Sequence, residues 1–360
     1  MTLRCRWLGG LGLLTMLAGS ACIGSLPPLP ALLQAPGIKT EATPLRKEQV
    51  VSLAGSALSS RIMQITSGPD QDLIVVAENG LRWIDAAGGT TRDLILPAKM
   101  FRHSLQPLPD GQTGIGGFSS RPNAILMFDL SGQEVLRIGL GPSYDFPEFA
   151  NVMGGSEREV VVPGRLGVRV FSLRGTLIGT LSSSTYATIK TVVQADDDPE
   201  YEIAFVTTSL RAGPVEALVM NADGTTVSRW NDAEGGWLSF VPELDDRSLW
   251  GLTADGFTAW DAQGQRVQTF AAPDVSALRY VTGAKFKHHT VLIASGGGYS
   301  NVSALCVFDN SRRLVFQEVY SSRIYSAFAD RDADHFYVGV DDAVVKYTLA
   351  TSASSAGTVR

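Results

Sequence analysis

The nine residues Ala259-Trp260-Asp261-Ala262-Gln263-Gly264-Gln265-Arg266-Val267 contain the pattern from which the fold of this chain can be predicted. An apolar run ends on an aromatic residue, an Asp follows, a Gly comes three residues later, and a second run begins. Asp and Gly are residue types that tight turns favour, and the flanking runs have the composition of β-strands. The pattern therefore predicts two neighbouring antiparallel strands joined by a short turn.

The same pattern recurs along the chain at intervals of 39 to 49 residues. The other copies, some of them weaker, lie around Asp85/Gly88, Asp129/Gly132, Ser172/Gly175, Asn221/Gly224, Asp309/Arg312 and Thr348. A repeat of about 44 residues made of strands and turns is typical of a β-propeller with one blade per repeat. We therefore predict an all-β fold, a seven-bladed β-propeller of four-stranded antiparallel blades, with the strands labelled a to d from the central channel outward.

The two ends of the repeat region predict how the ring closes. Blade seven supplies three strands, over 323–329, 335–340 and 343–349, and the residues after them, 350–360, are rich in Ser and Ala. Residues 47–54 precede blade one and have the pattern of an outer strand. We predict that this N-terminal segment completes blade seven, because the pairing removes the open edges of the ring. Residues 350–360 are the alternative source of the strand.

The amino terminus has the features of an export signal. Arg4 and Arg6 precede an apolar run that is shorter than the roughly 20 residues needed to span a bilayer. The small residues before Cys22 resemble the lipobox of bacterial lipoproteins. This resemblance implies that Cys22 is acylated, for example with palmitate, and becomes the mature N-terminus. An ordinary secretory cleavage after Ala21 is the alternative.

Three regions follow from these observations. Residues 1–21 are predicted to be a signal peptide, 22–46 the lipidated Cys and a Pro-rich tether, and 47–360 the propeller. We therefore expect an exported protein of the bacterial cell envelope, anchored in a membrane through its N-terminal cysteine and periplasmic or on the outer surface.

Composition excludes several classes of function. The net charge is −6 and no cluster of Lys and Arg occurs, which argues against nucleic acid as a partner. The three cysteines form no zinc-binding or disulfide pattern. Cys306 lies in an apolar run and is expected to be a small buried hydrophobe.

Blade four contains an acidic segment, Gln194-Ala195-Asp196-Asp197-Asp198-Pro199-Glu200-Tyr201-Glu202-Ile203, followed by the turn Asn221-Ala222-Asp223-Gly224. The segment resembles the repeat of FG-GAP/VCBS-type propellers, whose a–b turn holds an acidic calcium loop. The resemblance implies a calcium site at Asp196, Asp198 and Glu202. Gln194 and Pro199 stand where that family has Asp and Gly, and a solvated acidic turn is the alternative.

The longest connections predict where a ligand binds. The segment 140–149 and the b–c loops at 119–122, 209–214 and 295–301 are longer than the others, and by topology all project from one face. Exposed aromatic residues and Arg dominate the energetics of interfaces. We predict a recognition surface at Arg121, Tyr144, Phe146, Arg211 and Tyr299; the alternative is that these loops only cap the core.

The function predicted from these features is non-enzymatic. We expect a monomeric binding or scaffolding propeller that recognises an envelope protein or a polysaccharide. The alternative is a propeller-fold hydrolase or lyase with its active site in the central channel.

Overall fold

The computed structural model describes residues 45–349, apart from 59–60, 69–71, 86, 109, 141–145, 156, 165–166, 183–188, 208–214, 233–237, 242, 273–274, 276–277 and 297–300. The described residues form seven antiparallel sheets of four strands each. Strand a of one sheet contacts strand a of the next at several junctions, which places these strands around the centre of a ring. The predicted seven-bladed propeller is confirmed.

Six blades consist of four strands that are consecutive in the chain. Blades one to three comprise β2 (Ile62–Ser67), β3 (Leu73–Ala77), β4 (Gly80–Ile84), β5 (Thr90–Ile95); β6 (Phe101–Pro107), β7 (Thr113–Ser119), β8 (Ala124–Asp129), β9 (Glu134–Gly139); and β10 (Glu148–Ala150), β11 (Glu159–Gly164), β12 (Gly167–Ser172), β13 (Leu177–Ser182). Blades four to six comprise β14 (Ile189–Val193), β15 (Glu202–Thr207), β16 (Val215–Met220), β17 (Thr226–Asp232); β18 (Ser239–Val241), β19 (Asp245–Thr253), β20 (Gly256–Trp260), β21 (Arg266–Ala271); and β22 (Tyr280–Phe286), β23 (His289–Ser295), β24 (Ser303–Asp309), β25 (Leu314–Tyr320).

Blade seven joins the two ends of the described chain. Its inner strands are β26 (Ile324–Phe328), β27 (His335–Val340) and β28 (Ala343–Leu349), and its outer strand is β1 (Leu45–Ser52). β1 pairs antiparallel with β28, with Leu45 opposite Leu349 and Ser52 opposite Ala343. The predicted closure by an N-terminal outer strand is confirmed, with the strand beginning two residues earlier than expected. The alternative segment, 350–360, lies outside the described residues.

A polar cluster fastens the closing strand to the neighbouring blade. The Lys47 ammonium lies 2.5 Å from a Glu318 carboxylate oxygen and 4.8 Å from the centre of the Tyr320 ring. The Tyr347 hydroxyl donates to the other Glu318 oxygen at 2.5 Å and also bonds the Tyr320 hydroxyl. Burial and the hydrogen bond to Glu318 raise the pKa of Tyr347, so its hydroxyl remains protonated and able to donate.

The apolar core is divided among the junctions between blades. The described residues contain seven buried clusters, and each cluster joins two neighbouring sheets. The cluster between blades seven and one, for example, packs Val344 against Ile62 and Val75. Cys306 is fully buried between blades five and six, and burial raises the pKa of its thiol to about 12, as expected for a small core residue. Every blade therefore depends on both of its neighbours for the burial of its two faces.

The recurring turn has the chemistry predicted from its sequence. One carboxylate oxygen of Asp261 accepts the backbone N–H groups of Gln263 at 3.0 Å and Gln265 at 2.8 Å. Gly264 has a φ of 82°, and the strand register shifts just before Trp260, which together describe a turn followed by a bulge. Trp260 is fully buried and stacks on Trp230 with ring centres 6.4 Å apart. The motif is therefore structural.

Alanine substitutions at two glycines of this turn type distinguish the cost of backbone strain from the cost of overpacking. Gly224 has a φ of 91° and open space where a Cβ would lie, so Gly224→Ala should lower the free energy of unfolding by about 1–2 kcal/mol, the cost of a left-handed alanine. A Cβ at Gly264 would lie 2.3 Å from the Trp230 ring, and overpacking adds about 1–3 kcal/mol. Gly264→Ala should therefore cost about 2–5 kcal/mol, as measured by urea unfolding. Equal losses in the two variants would contradict the packing account.

Candidate functional site

The antiparallel order of the blades sorts the connections onto two faces. Each strand a begins on the face that carries the d–a connections and b–c loops, and ends on the face that carries the a–b and c–d turns. We call these the rim face and the turn face. Of the five residues of the predicted recognition surface, Arg121 and Phe146 are described and belong to connections of the rim face.

The structure describes two of those five residues. Arg121 is exposed, and its backbone carbonyl accepts a hydrogen bond from the Ser119 hydroxyl at 2.8 Å. Phe146 is half-buried and meets the Phe118 ring edge-on, with ring centres 5.8 Å apart. Tyr144, Arg211 and Tyr299 lie outside the described residues. Arg121 is thus exposed to solvent, whereas Phe146 contributes to the packing beneath the loop, and the recognition surface stays a prediction.

Arginine immediately precedes the inner strand of three consecutive blades. Arg279 comes before β22, Arg323 before β26 and Arg61 before β2. Because β26 contacts both β22 and β2, these three residues stand next to one another at the rim-face end of the channel. A local group of cations thus occurs in a chain whose net charge is −6.

Tyrosine rings contact two of these cations, Arg323 and Arg61. The guanidinium carbon of Arg323 lies 4.3 Å from the ring centre of Tyr280 and 5.0 Å from that of Tyr325. The guanidinium carbon of Arg61 lies 5.8 Å from the Tyr325 ring, and one Arg61 nitrogen is 2.6 Å from a Glu78 carboxylate oxygen. Each cation–π contact is favourable by about 0.5–2 kcal/mol, depending on how far it is desolvated. We call the three arginines and two tyrosines, Arg61, Arg279, Tyr280, Arg323 and Tyr325, the arginine–tyrosine rim.

Buried serines determine the position of the rim backbone. The Ile324 N–H donates to the Ser303 hydroxyl at 2.9 Å, and its carbonyl accepts from the Ser295 hydroxyl at 3.0 Å. Both serines are buried, at 2% exposure or less. Ile324 lies between Arg323 and Tyr325 in the chain, so the two rim side chains project from a backbone that blade six holds on both sides. The arrangement is therefore preorganised for a contact at this end of the channel.

Loop length alone does not predict this rim, because its residues lie in short connections or at strand ends. A signal is nevertheless present in the sequence. An arginine stands directly before three inner strands, and a tyrosine follows it in the dipeptide Arg279-Tyr280 and in the segment Arg323-Ile324-Tyr325. Reading the rim from the sequence requires both the strand boundaries and the order of the blades around the ring.

The acidic turn of blade four lies on the turn face. Ligand atoms of Asp196, Asp198 and Glu202 all lie within 4.8 Å of one another, so the structure brings together the three residues predicted to bind calcium. Glu202 is buried, and burial, followed by the nearby charges of Asp196 and Asp198, raises its pKa; the Ala195 N–H that donates to it at 2.5 Å acts in the opposite direction. Three convergent oxygen ligands, one of them poorly solvated, fit a hard cation.

The equivalent turn of blade three shows that the glutamate also has a structural role. Glu159 is buried and accepts the Val152 N–H at 2.8 Å, as Glu202 accepts the Ala195 N–H. The Asn151 side-chain amide donates to the carbonyl four residues later in its own turn, and Gln194 makes the corresponding bond in blade four. Gly155 and Met153 stand where blade four has Asp198 and Asp196. The turn therefore closes on its glutamate with or without the two aspartates, and calcium stays a prediction.

Comparisons with known proteins bear on the fold. No family model and no curated protein matches the chain. Solved structures to which it is similar include virginiamycin B lyase from Staphylococcus aureus, at 15% identity and a TM-score of 0.54, covering 85% of this chain and 99% of that chain. They also include a streptogramin B lyase, at 14% identity and a TM-score of 0.57 over 85% and 98% of the two chains. Hydrazine synthase from Kuenenia stuttgartiensis is 13% identical, with a TM-score of 0.54 over 82% and 99%. At these identities the similarity shows the propeller fold alone.

The described chain contains no helix long and apolar enough to cross a membrane.

Calcium binding is tested by thermal unfolding. Calcium should raise the melting temperature of the wild type relative to a sample treated with chelator, because it would bind only the folded arrangement of carboxylates. Asp198→Asn should abolish the increase. Asp332→Asn, which changes an aspartate in the a–b turn of blade seven, is the matched control and should retain it. No difference between calcium and chelator in the wild type would leave the turn as a purely structural feature.

Proposed function

We propose that this chain is a non-enzymatic recognition propeller that binds a protein partner on its rim face, through the arginine–tyrosine rim. The observation that supports this proposal is the placement of Arg323, half-buried over two tyrosine rings at the mouth of the channel. Arg and Tyr are the residues in which interface energy concentrates, especially where neighbouring groups exclude water from them.

A protein partner is favoured over a polysaccharide because the tyrosine rings of the rim are already in contact with a guanidinium group. A sugar ring typically stacks on an uncovered aromatic face, but a guanidinium group lies over the rings of Tyr280 and Tyr325. The cations, rather than the rings, are then the groups presented to a ligand. The hydrolase or lyase alternative stays a prediction from the sequence, since the lyases to which the chain is similar share only its fold.

The proposal includes export and a lipid anchor at Cys22. Support comes from the apolar, small-residue segment that precedes this cysteine and from the place where the tether meets the propeller. β1 lies antiparallel to β28 as an outer strand, so Leu45 stands at its turn-face end. A tether that joins at the turn face leaves the rim face directed away from the anchor. The predicted tether would reach on the order of 70 Å if fully extended.

The anchor is tested by Cys22→Ser. Loss of the acylated thiol should move the protein from the membrane fraction to the soluble fraction and abolish incorporation of labelled palmitate. Cys5→Ser is the matched control, because Cys5 lies in the predicted signal peptide and should not change either result. Retention of the Cys22 variant in the membrane fraction would contradict lipid anchoring at this residue.

The recognition face is tested by photo-crosslinking in cells that produce the protein. A photoreactive amino acid at Ser321, exposed in the d–a connection beside the rim, should give a defined cross-linked protein. The same amino acid at Arg331, exposed at the other end of strand β26, should not give this product. A cross-link that forms only from Arg331, or equally from both positions, would refute recognition by the rim face.

A further inference from the structure

We propose that Arg323 binds a carboxylate group, so that the partner presents an acidic peptide segment to the rim. This inference rests on the proposed function, because it takes the rim as the recognition site and assigns the chemistry of what it recognises.

Arg323 differs from the ion-paired arginines of the propeller in its partners. Arg82 lies 2.8 Å from Asp93, Arg266 lies 3.0 Å from Asp232, and Arg61 lies 2.6 Å from Glu78. Arg323 has no carboxylate within salt-bridge distance among the described residues; its contacts there are the rings of Tyr280 and Tyr325. Contacts with ring faces leave the five N–H donors of a guanidinium without acceptors. The side chain is therefore stabilised as a cation, and among the described residues no carboxylate uses its hydrogen-bonding capacity.

The burial and the backbone support of Arg323 favour a charged hydrogen bond to a ligand. Arg279 and Arg61 stand at the starts of the adjacent inner strands, but Arg61 is paired with Glu78, and Asp341 and Asp342 lie on the same face in the b–c connection of blade seven. Arg323 itself, rather than a net positive field, is therefore the group that would recognise the ligand. A half-buried guanidinium is less well solvated than an exposed one, which strengthens a charge-assisted hydrogen bond made to it. The ordering cost is also reduced, because the Ser295 and Ser303 hydroxyls already hold the backbone next to Arg323.

The geometry fits a planar carboxylate better than a larger anion. A guanidinium forms two parallel N–H···O bonds to a single carboxylate, and this fork-to-fork match needs no second cation. Of the neighbouring arginines, Arg61 is already paired with Glu78. Side chains of Asp and Glu in a peptide supply such planar carboxylates.

The test is a titration of the purified protein with fluorescently labelled oligoglutamate, with oligoglutamine as the neutral control. Arg323→Gln should weaken binding of oligoglutamate about tenfold or more, since it removes one partner of a charged hydrogen-bonded pair. Arg323→Lys keeps the charge but loses the fork, and should bind with intermediate affinity. Arg174→Gln removes an exposed arginine of the turn face and should bind like the wild type. Circular dichroism of each variant shows that it is folded.

Several outcomes would overturn the inference. Wild-type affinity in Arg323→Gln would show that another group binds the acidic peptide. Tighter binding of polygalacturonate or of inorganic phosphate than of oligoglutamate, lost equally in Arg323→Gln, would assign the site to an acidic polysaccharide or a phosphate instead. A cross-link from Ser321 in a protein that does not bind oligoglutamate would leave the proposed function standing and reject the carboxylate. Oligoglutamate binding without any cross-link from Ser321 would support carboxylate binding by Arg323 and reject the rim face as the site of a protein partner.

Discussion

The pairing of β1 with β28 is the contact on which the rest of this structure depends. A propeller blade buries both faces of its sheet against its neighbours, so an open ring would leave two blades with an uncovered face. Here the strand that completes the last blade comes from the start of the described chain, and Val51 and Leu53 join the cluster that also contains Val344, Ile62 and Val75. Burying each such aliphatic side chain contributes about 1.5–3 kcal/mol. The closing strand thus stabilises blade seven and the junction with blade one together.

The arginine–tyrosine rim is located at the same closure. Its contact between Arg61 and Tyr325 crosses the junction from blade one to blade seven, and the contact between Arg323 and Tyr280 crosses from blade seven to blade six. The hydrogen bond from the Ile65 N–H to the Ser326 hydroxyl, at 3.0 Å, aligns the inner strands across the closing junction.

Local chemistry made most of the fold predictable, whereas predicting the rim also requires the order of the blades around the ring. The turn at Asp261 and Gly264 needs only residues that are adjacent in sequence, since a carboxylate caps two nearby N–H groups and a glycine adopts a positive φ. The outer strand β1 was predictable because a strand-like segment before blade one had no blade of its own, whereas blade seven lacked an outer strand. By contrast, Arg61 and Tyr325 are brought together only after the ring has closed. Phe146 shows the related limit: an aromatic in a long loop predicts exposure, but it packs against Phe118.

The turns of blades three and four show that residues resembling a binding motif can have a structural role in the fold. Glu202 and Glu159 accept the same backbone N–H in equivalent turns, and these turns also contact each other, since the Tyr201 N–H donates to the Asn151 carbonyl at 2.7 Å. The glutamate thus accepts a backbone N–H of the turn whether or not aspartates accompany it. Arg323 presents the opposite case, because no backbone group or carboxylate among the described residues makes use of its donors. A polar group that the fold employs needs no ligand to explain it, whereas a preorganised cation with no carboxylate partner among the described residues is a candidate for ligand binding.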